Sequence, residues 1–160
     1  MVAIPIYPCY DMAMTEQPKT KPKVGIGIII VNSKGEILIG KRIGSHAQRY
    51  SIPGGSLELG ETFEAAAIRE AKEEIGITLK NPKVIAVTNN LETYRQEGVH
   101  FISVILLAES FDGEPKILEP EKCAELLWCD PHSLPEPHFD ASRLAVECYL
   151  DGAVYKGISE

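Results

Sequence analysis

The sequence predicts an α/β domain in which helices cover both faces of a mixed β-sheet, and three observations support this. Residues 24–31 (VGIGIIIV) form a β-branched, glycine-spaced run of the kind that builds a buried strand. Residues 62–75 form one strong helix pattern between a capping threonine and a glycine. The apolar segments follow the order β-β-β-α-β-β-β-α, which suits a layered α/β architecture. At 160 residues the chain has length for one ordinary domain with its own core. Its 44% hydrophobic and 24% charged residues are those of a globular protein rather than a disordered one.

Taken in order, residues 1–22 read as an N-terminal arm, ending in the polar, Pro- and Lys-rich stretch TEQPKTKPK at 15–23. The first residues lack a basic segment followed by an apolar one, so no secretory signal is expected. The domain spans residues 23–155, and 156–160 is a short tail. Residues 24–31 and 36–41 flank the turn Asn32-Ser33-Lys34-Gly35, which predicts a β-hairpin. A short strand at 50–52 runs into Pro53-Gly54-Gly55, expected to stop it. In the helix at 62–75, Thr62 is the expected N-cap and Gly76 the C-terminal stop, with Ala, Glu, Arg and Lys filling the interior. Strand-like runs follow at 83–88, 99–108 and 126–129, and residues 141–150 read as a second helix.

Bulk properties narrow the partners. A formal charge of −7 disfavours grip on a polynucleotide backbone, whereas a small anionic substrate is compatible with it if metal ions bring positive charge. The longest apolar run is too short to span a bilayer, so no membrane partner is expected. Cys9, Cys123, Cys129 and Cys148 form no C-x-x-C pair, and reduced thiols in a cytoplasmic protein are the expectation.

The chemistry concentrates in the helix. At about 100° per residue, with Glu70 at zero, Glu74 falls near +40° and Glu73 near −60°, so three carboxylates share one side. Ile68, Ala71 and Ile75 are expected to press onto the sheet, and Ala66 and Ala67 to leave room beside the carboxylates for a bulky anion. Like charges this close raise one another's pKa unless something offsets them. Lys72 lies about 200° away, off that side. Hard divalent cations favour such oxygen-only surroundings. Glu61, near the helix start, and the Gly55 carbonyl can add oxygens. Arg69 is better placed to orient a carboxylate than to join the cluster. An acidic solvent-facing helix is by itself far commoner than a metal site.

The full segment from Gly55 to Ile77 changes the balance. It matches Gly-x5-Glu-x7-Arg-Glu-U-x-Glu-Glu-x-Gly-U, where U is bulky and aliphatic, at all seven fixed positions. Chance alone would give this on the order of 10⁻⁶ in such a chain. The chain thereby resembles the Nudix hydrolases over about residues 23–150, with Ala71 smaller than the usual aliphatic residue. The Pro53-Gly54-Gly55 and Leu57-Glu58-Leu59-Gly60 stretches look like the MutT-type nucleoside triphosphate pyrophosphatases. Glu119-Pro-Glu-Lys-Cys123 with Trp128 looks like the small dimeric nucleotide triphosphate diphosphatases.

The resemblance implies a Nudix-type α/β/α sandwich and hydrolysis of a nucleotide phosphoanhydride, a purine nucleoside triphosphate first, ADP-ribose or a sugar nucleotide second. A catalytically silent nucleotide-binding domain is disfavoured by the complete set of box carboxylates. It implies Mg²⁺, with Mn²⁺ as substitute, held by Glu70, Glu73 and Glu74 with Glu61 and the Gly55 carbonyl in support. Arg69, Glu70, Glu73 and Glu74 are the catalytic set, joined by a loop carboxylate, Glu121 or else Glu119. Substrate-binding candidates are Arg42, Arg49 and Tyr50, with Lys41 and His46 nearby and Trp128 as a second stacking surface. The partner is a small-molecule nucleotide, and a homodimer stays open.

Overall fold

The computed structural model describes residues 21–44 and 47–157. Residues 1–20 of the arm expected at 1–22, Ser45, His46 and the last three residues lie outside the described residues. Strands β1 (Lys23–Ile30) and β2 (Ile37–Arg42) are followed by β3 (Tyr50–Ser51), β4 (Gly54–Ser56) and helix α1 (Phe63–Ile75). Then come β5 (Thr78–Leu79), β6 (Lys83–Asn89), α2 (Leu91–Glu97), β7 (Phe101–Ala108), β8 (Phe111–Asp112), β9 (Cys123–Cys129) and α3 (Asp140–Asp151).

The main sheet has the order β4-β1-β7-β6 and is mixed: β1 runs parallel to β7 and antiparallel to β4. A second sheet is ordered β3-β2-β9. Alternation along β1 sends Ile26, Ile28 and Ile30 toward α1, and Ile29 and Val31 toward α3. Each helix thus covers its own face, the α/β/α arrangement expected.

The expected hairpin is only half present. Asn32 does turn the chain, its Oδ1 accepting the Lys34 and Glu36 N–H groups at 2.9 and 3.1 Å, and Val31 bridges Ile37. Beyond that bridge the strands part, β1 into the main sheet and β2 into the second. Ile28, Ile29, Ile30, Ile37 and Ile39 are fully buried, so both strands have two apolar faces to cover, and central positions in separate sheets satisfy that. The Pro-Gly-Gly stop is likewise more than a stop. Gly54–Ser56 is itself a strand, paired antiparallel to β1 with Gly55 opposite Ile26.

Helix α1 forms where the sequence places it. Thr62 Oγ1 accepts the Ala65 N–H at 3.1 Å, a cap worth about 1 kcal/mol. Gly76 ends the helix at φ 72°, in the left-handed region. Its buried side is Ala66, Ala67, Ala71 and Ile75. Ala66 and Ala67 therefore do not border an anion path; they lie in the core and let the helix approach the sheet closely, as does Ala71. The short α2 carries no long apolar period, which is why the sequence does not announce it. Lys156, assigned to the tail, is held to α3 by Glu147 at 3.6 Å and by Asp151.

Candidate active site

Arg69 is the hub of the carboxylate side. Its Nε donates to Glu61 Oε1 at 2.8 Å and one terminal nitrogen to Glu61 Oε2 at 2.9 Å, a bidentate pair. The same terminal nitrogen reaches the Ser56 carbonyl at 3.0 Å, and the other donates to Glu70 at 2.9 Å and Glu73 at 3.3 Å. The sequence places Arg69 off the cluster as an orienting group; in the structure it lies among the carboxylates and bonds three of them. Glu61 is more constrained than expected, because its second oxygen also accepts the Glu58 N–H at 3.0 Å. The Arg69 hydrogen bonds, first among the causes, bring the Glu61 carboxyl down to about 2.

Glu70 and Glu74 lean over the edge of the sheet onto β4. The Ser56 N–H donates to Glu70 at 3.2 Å and the Gly54 N–H to Glu74 at 3.1 Å. Any Cβ at position 55 would lie inside van der Waals contact of the Glu70 carboxyl, so only glycine allows this approach. Glu70 is nearly enclosed, with 13% of its side chain exposed, whereas Glu73 stands out at 57%. Burial, with the Glu70 and Glu119 charges added, pushes the Glu74 carboxyl up to about 7.

The loop before β9 is pinned to the end of α1. The Lys116 and Leu118 N–H groups cap the Ile75 and Glu74 carbonyls, both at 3.0 Å. That pinning carries Glu119 toward Glu74. Of the two loop candidates, Glu119 is the one whose charge bears on Glu74, and Lys122 holds it at 2.7 Å. Glu121 is exposed, though it borders the same cavity.

Two cavities meet at residues 51–54. The charged one, about 400 Å³, is bordered by Glu74, Glu119 and Glu121 and by Lys41, Arg42 and Lys122. The other, about 350 Å³, lies on the α3 side and is bordered by Phe101, Phe139, Asn90, Ser103 and Glu97. Arg42 borders both, its guanidinium 5.8 Å from the Phe139 ring centroid. Burial lowers its pKa while Glu74 and Glu97 oppose that.

The other sequence candidates lie elsewhere. Tyr50 borders neither cavity; its hydroxyl donates to Glu125 at 3.2 Å and its ring stands 5.5 Å from Lys41 Nζ. Trp128 stacks on Phe111 in the α1-side core. Arg49 is half-buried and borders neither cavity. His100 bonds Asn89 Oδ1 at 2.6 Å, a structural contact. Phe101, Ser103, Asn90 and Phe139, which border the α3-side cavity, are not singled out by the sequence. One signal existed: the alternation Phe101, Ser103, Ile105 puts a hydroxyl on one face of an apolar strand.

Among the described residues, no three His, Cys, Asp or Glu side chains converge into a ready metal-binding group. Glu61, Glu70 and Glu73 are drawn to Arg69 instead. The donor set nevertheless fits a hard cation. Glu70 and Glu74 offer only oxygen, Gly55 leaves them space, and Glu74, whose pKa is raised first by burial and then by the Glu70 and Glu119 charges, would ionise more readily beside a cation.

A layered mixed sheet with this carboxylate helix beside a glycine-built strand defines the class, and the comparisons agree. Residues 21–147 match the NUDIX domain, and the chain belongs to the Nudix family. It is 31% identical over 123 residues to an ADP-ribose pyrophosphatase of Methanocaldococcus jannaschii, covering 77% of this chain and 70% of that one. An RNA pyrophosphohydrolase of Orientia tsutsugamushi is 36% identical over 92 residues, 58% of this chain. That match takes in only 55% of the Orientia protein, so the chain spans about half the length of this relative. Among solved structures, a MutT NUDIX hydrolase from Burkholderia pseudomallei superposes with a TM-score of 0.73 at 35% identity, covering 79% of this chain and 97% of that one.

Proposed function

We propose that the chain hydrolyses a nucleotide phosphoanhydride, and that its substrate is a purine nucleoside triphosphate split by water into the monophosphate and pyrophosphate. The observation that carries this is the pair of cavities joined at residues 51–54 and bridged by Arg42. A polyphosphate suits the side with Glu74, Arg42 and the lysines; a flat base suits the side with Phe101 and Phe139. Mg²⁺, or Mn²⁺ in its place, would be held by Glu70, Glu73 and Glu74, and would supply charge to offset the phosphates and a lowered pKa for a bound water.

The chain's own groups divide the remaining work. Arg69 fixes Glu70 and Glu73 in direction through its fork, and Glu61 fixes Arg69, so Glu61 acts by positioning. The Gly54 and Ser56 N–H groups hold Glu74 and Glu70 against β4. Glu119, backed by Lys122, is the better-placed loop carboxylate to accept a proton from the attacking water, ahead of Glu121. Arg42 neutralises a phosphate at the junction of the cavities. The free thiols of Cys123, Cys129 and Cys148 suit a reducing cytoplasm.

A second reading, a diphosphate-linked substrate such as ADP-ribose, is favoured by the identity to the Methanocaldococcus relative. A panel of triphosphates, ADP-ribose and sugar nucleotides, followed by ³¹P NMR in ¹⁸O-water, separates the two. Pyrophosphate plus monophosphate from a purine triphosphate is expected. Turnover of ADP-ribose with triphosphates inert would replace the first reading with the second.

A further inference from the structure

We propose that Ser142, held by His138, is a positioning residue for the metal site: by fixing the Ile52 N–H it sets residues 52–54, which present the Gly54 N–H to Glu74. The proposal rests on the reading of Glu74 as a metal ligand. It ties a carboxylate on α1 to helix α3, on the opposite face of the sheet.

Residues 52–54 link β3 to β4 and border both cavities. They are tied at three successive points. The Ile52 N–H donates to Ser142 Oγ at 2.9 Å, the Pro53 carbonyl accepts the Ile28 N–H at 2.9 Å, and the Gly54 N–H donates to Glu74 at 3.1 Å. Ile52 and Ser142 are 8% and 3% exposed, so without the hydroxyl the Ile52 N–H becomes a buried donor with no partner. Water entering from the cavity that Ser142 borders can pair that N–H but not fix its place. Only Pro53 separates Ile52 from Gly54, and the fixed φ of proline passes a displacement along rather than absorbing it.

The hydroxyl is itself held. Residues 137–139 pair with Tyr50, whose N–H donates to the Pro137 carbonyl and whose carbonyl accepts the Phe139 N–H, both at 2.8 Å. The buried His138 ring then lies with Nε2 2.8 Å from Ser142 Oγ and Nδ1 3.3 Å from the Pro135 carbonyl. A carbonyl only accepts, so Nδ1 carries the hydrogen of the neutral ring and Nε2 takes the Ser142 O–H. Burial, the largest cause, brings His138 down to about 4, in keeping with a neutral ring. With its hydrogen directed at His138, Ser142 turns a lone pair to the Ile52 N–H.

The test reads metal binding rather than turnover. Mn²⁺ binding to the full chain is measured by calorimetry, at a temperature where circular dichroism shows each variant folded. Ser142→Ala and His138→Leu should each weaken Mn²⁺ about threefold or more, a smaller loss than removal of a group that touches the ligand itself. His138→Gln, whose amide oxygen can take the Ser142 hydrogen, should stay within about twofold of the unsubstituted chain. Added to Glu74→Gln, Ser142→Ala should change Mn²⁺ affinity by less than about 1.5-fold, a dependence that a merely structural role would not show. Unchanged affinity in Ser142→Ala, or an equal loss with and without Glu74→Gln, would overturn the proposal. Should Ser142→Ala not fold, equal affinities of His138→Leu and His138→Gln would overturn it instead. If Glu74→Gln leaves Mn²⁺ binding unchanged, or the unsubstituted chain binds none, the metal reading of Glu74 falls and the proposal with it. A loss in Glu74→Gln without one in Ser142→Ala counts against the positioning role alone.

Discussion

The two sides of residues 51–56 are built on opposite principles. On the α1 side, charge is crowded: Glu61, Glu70 and Glu73 surround one arginine, while Glu74 is pushed up to about 7 by burial and its neighbours. On the α3 side, buried neutral groups are linked in relays, Thr88–Asn90–Ser103 and Ile52–Ser142–His138, with Arg42 and Glu97 at the cavity border. In the proposed reading the first arrangement takes a cation and a polyphosphate and the second a base, so that chemistry and recognition would fall to separate walls of one strand segment.

Substitutions on the charged wall should strike turnover hardest. Glu70→Gln, Glu73→Gln or Glu74→Gln should each lower kcat by at least about 10²-fold with the fold intact, the effect of losing a metal ligand at a phosphoryl-transfer site. Near-normal kcat at saturating Mg²⁺ in any of them would remove that residue from the ligand set. Arg69→Lys should cost about tenfold or more, because a lysine cannot hold Glu61 in a bidentate fork. Combined with Glu61→Gln, its effect should be less than multiplicative, since both act through one contact. On the opposite wall, Phe139→Ala should raise KM about tenfold while leaving kcat within a few-fold, as loss of base stacking predicts. A fall in kcat without a change in KM would erase the division between the walls.

Stability should respond to pH with opposite sign on the two sides. Burial pushes His138 down to about 4, so the unfolded chain takes up a proton near 6.5 and the folded one does not. Its contribution is whole above pH 6.5 and is lost as pH falls toward 4, a change of about 2–3 kcal/mol. Glu74 is raised, so its contribution is whole below about 4.5 and is lost as pH rises through 7. In urea melts with chelator present, His138→Gln should flatten the acid limb. Glu74→Gln should gain relative to the unsubstituted chain above pH 7 by about 1–3 kcal/mol. Parallel pH curves for all three proteins would contradict both assignments.

How much of this the sequence discloses follows from the same contrast. The charged wall is local: Glu61, Arg69, Glu70, Glu73 and Glu74 lie within one loop and helix, and periodicity exposes them. Even there, the arc buried by α1 is not legible, since Ala66 and Ala67 sit at angles close to the carboxylates yet belong to the core. The other wall joins Gly25, Asn90, Ser103 and Phe139 from four distant segments, and the parallel β1–β7 pairing, the antiparallel β6–β7 pairing and the packing of α3 bring them together. Tyr50 and Trp128 offer aromatic faces that could stack on a base, yet each is read at a strand end, where packing is the commoner fate; here they meet Glu125 and Phe111. The parting of β1 and β2 was hidden for a related reason. A turn fixes where the chain reverses, and burial on both faces decides which strand each arm pairs with.

The central claim, that an oxygen-ligated metal on the α1 wall drives phosphoanhydride hydrolysis, is tested most directly by metal withdrawal and return. With a purine triphosphate as substrate, hydrolysis should vanish in EDTA and recover with Mg²⁺ or Mn²⁺, while Zn²⁺, which favours nitrogen and sulfur ligands, should restore little. Robust hydrolysis in the presence of chelator would contradict the account.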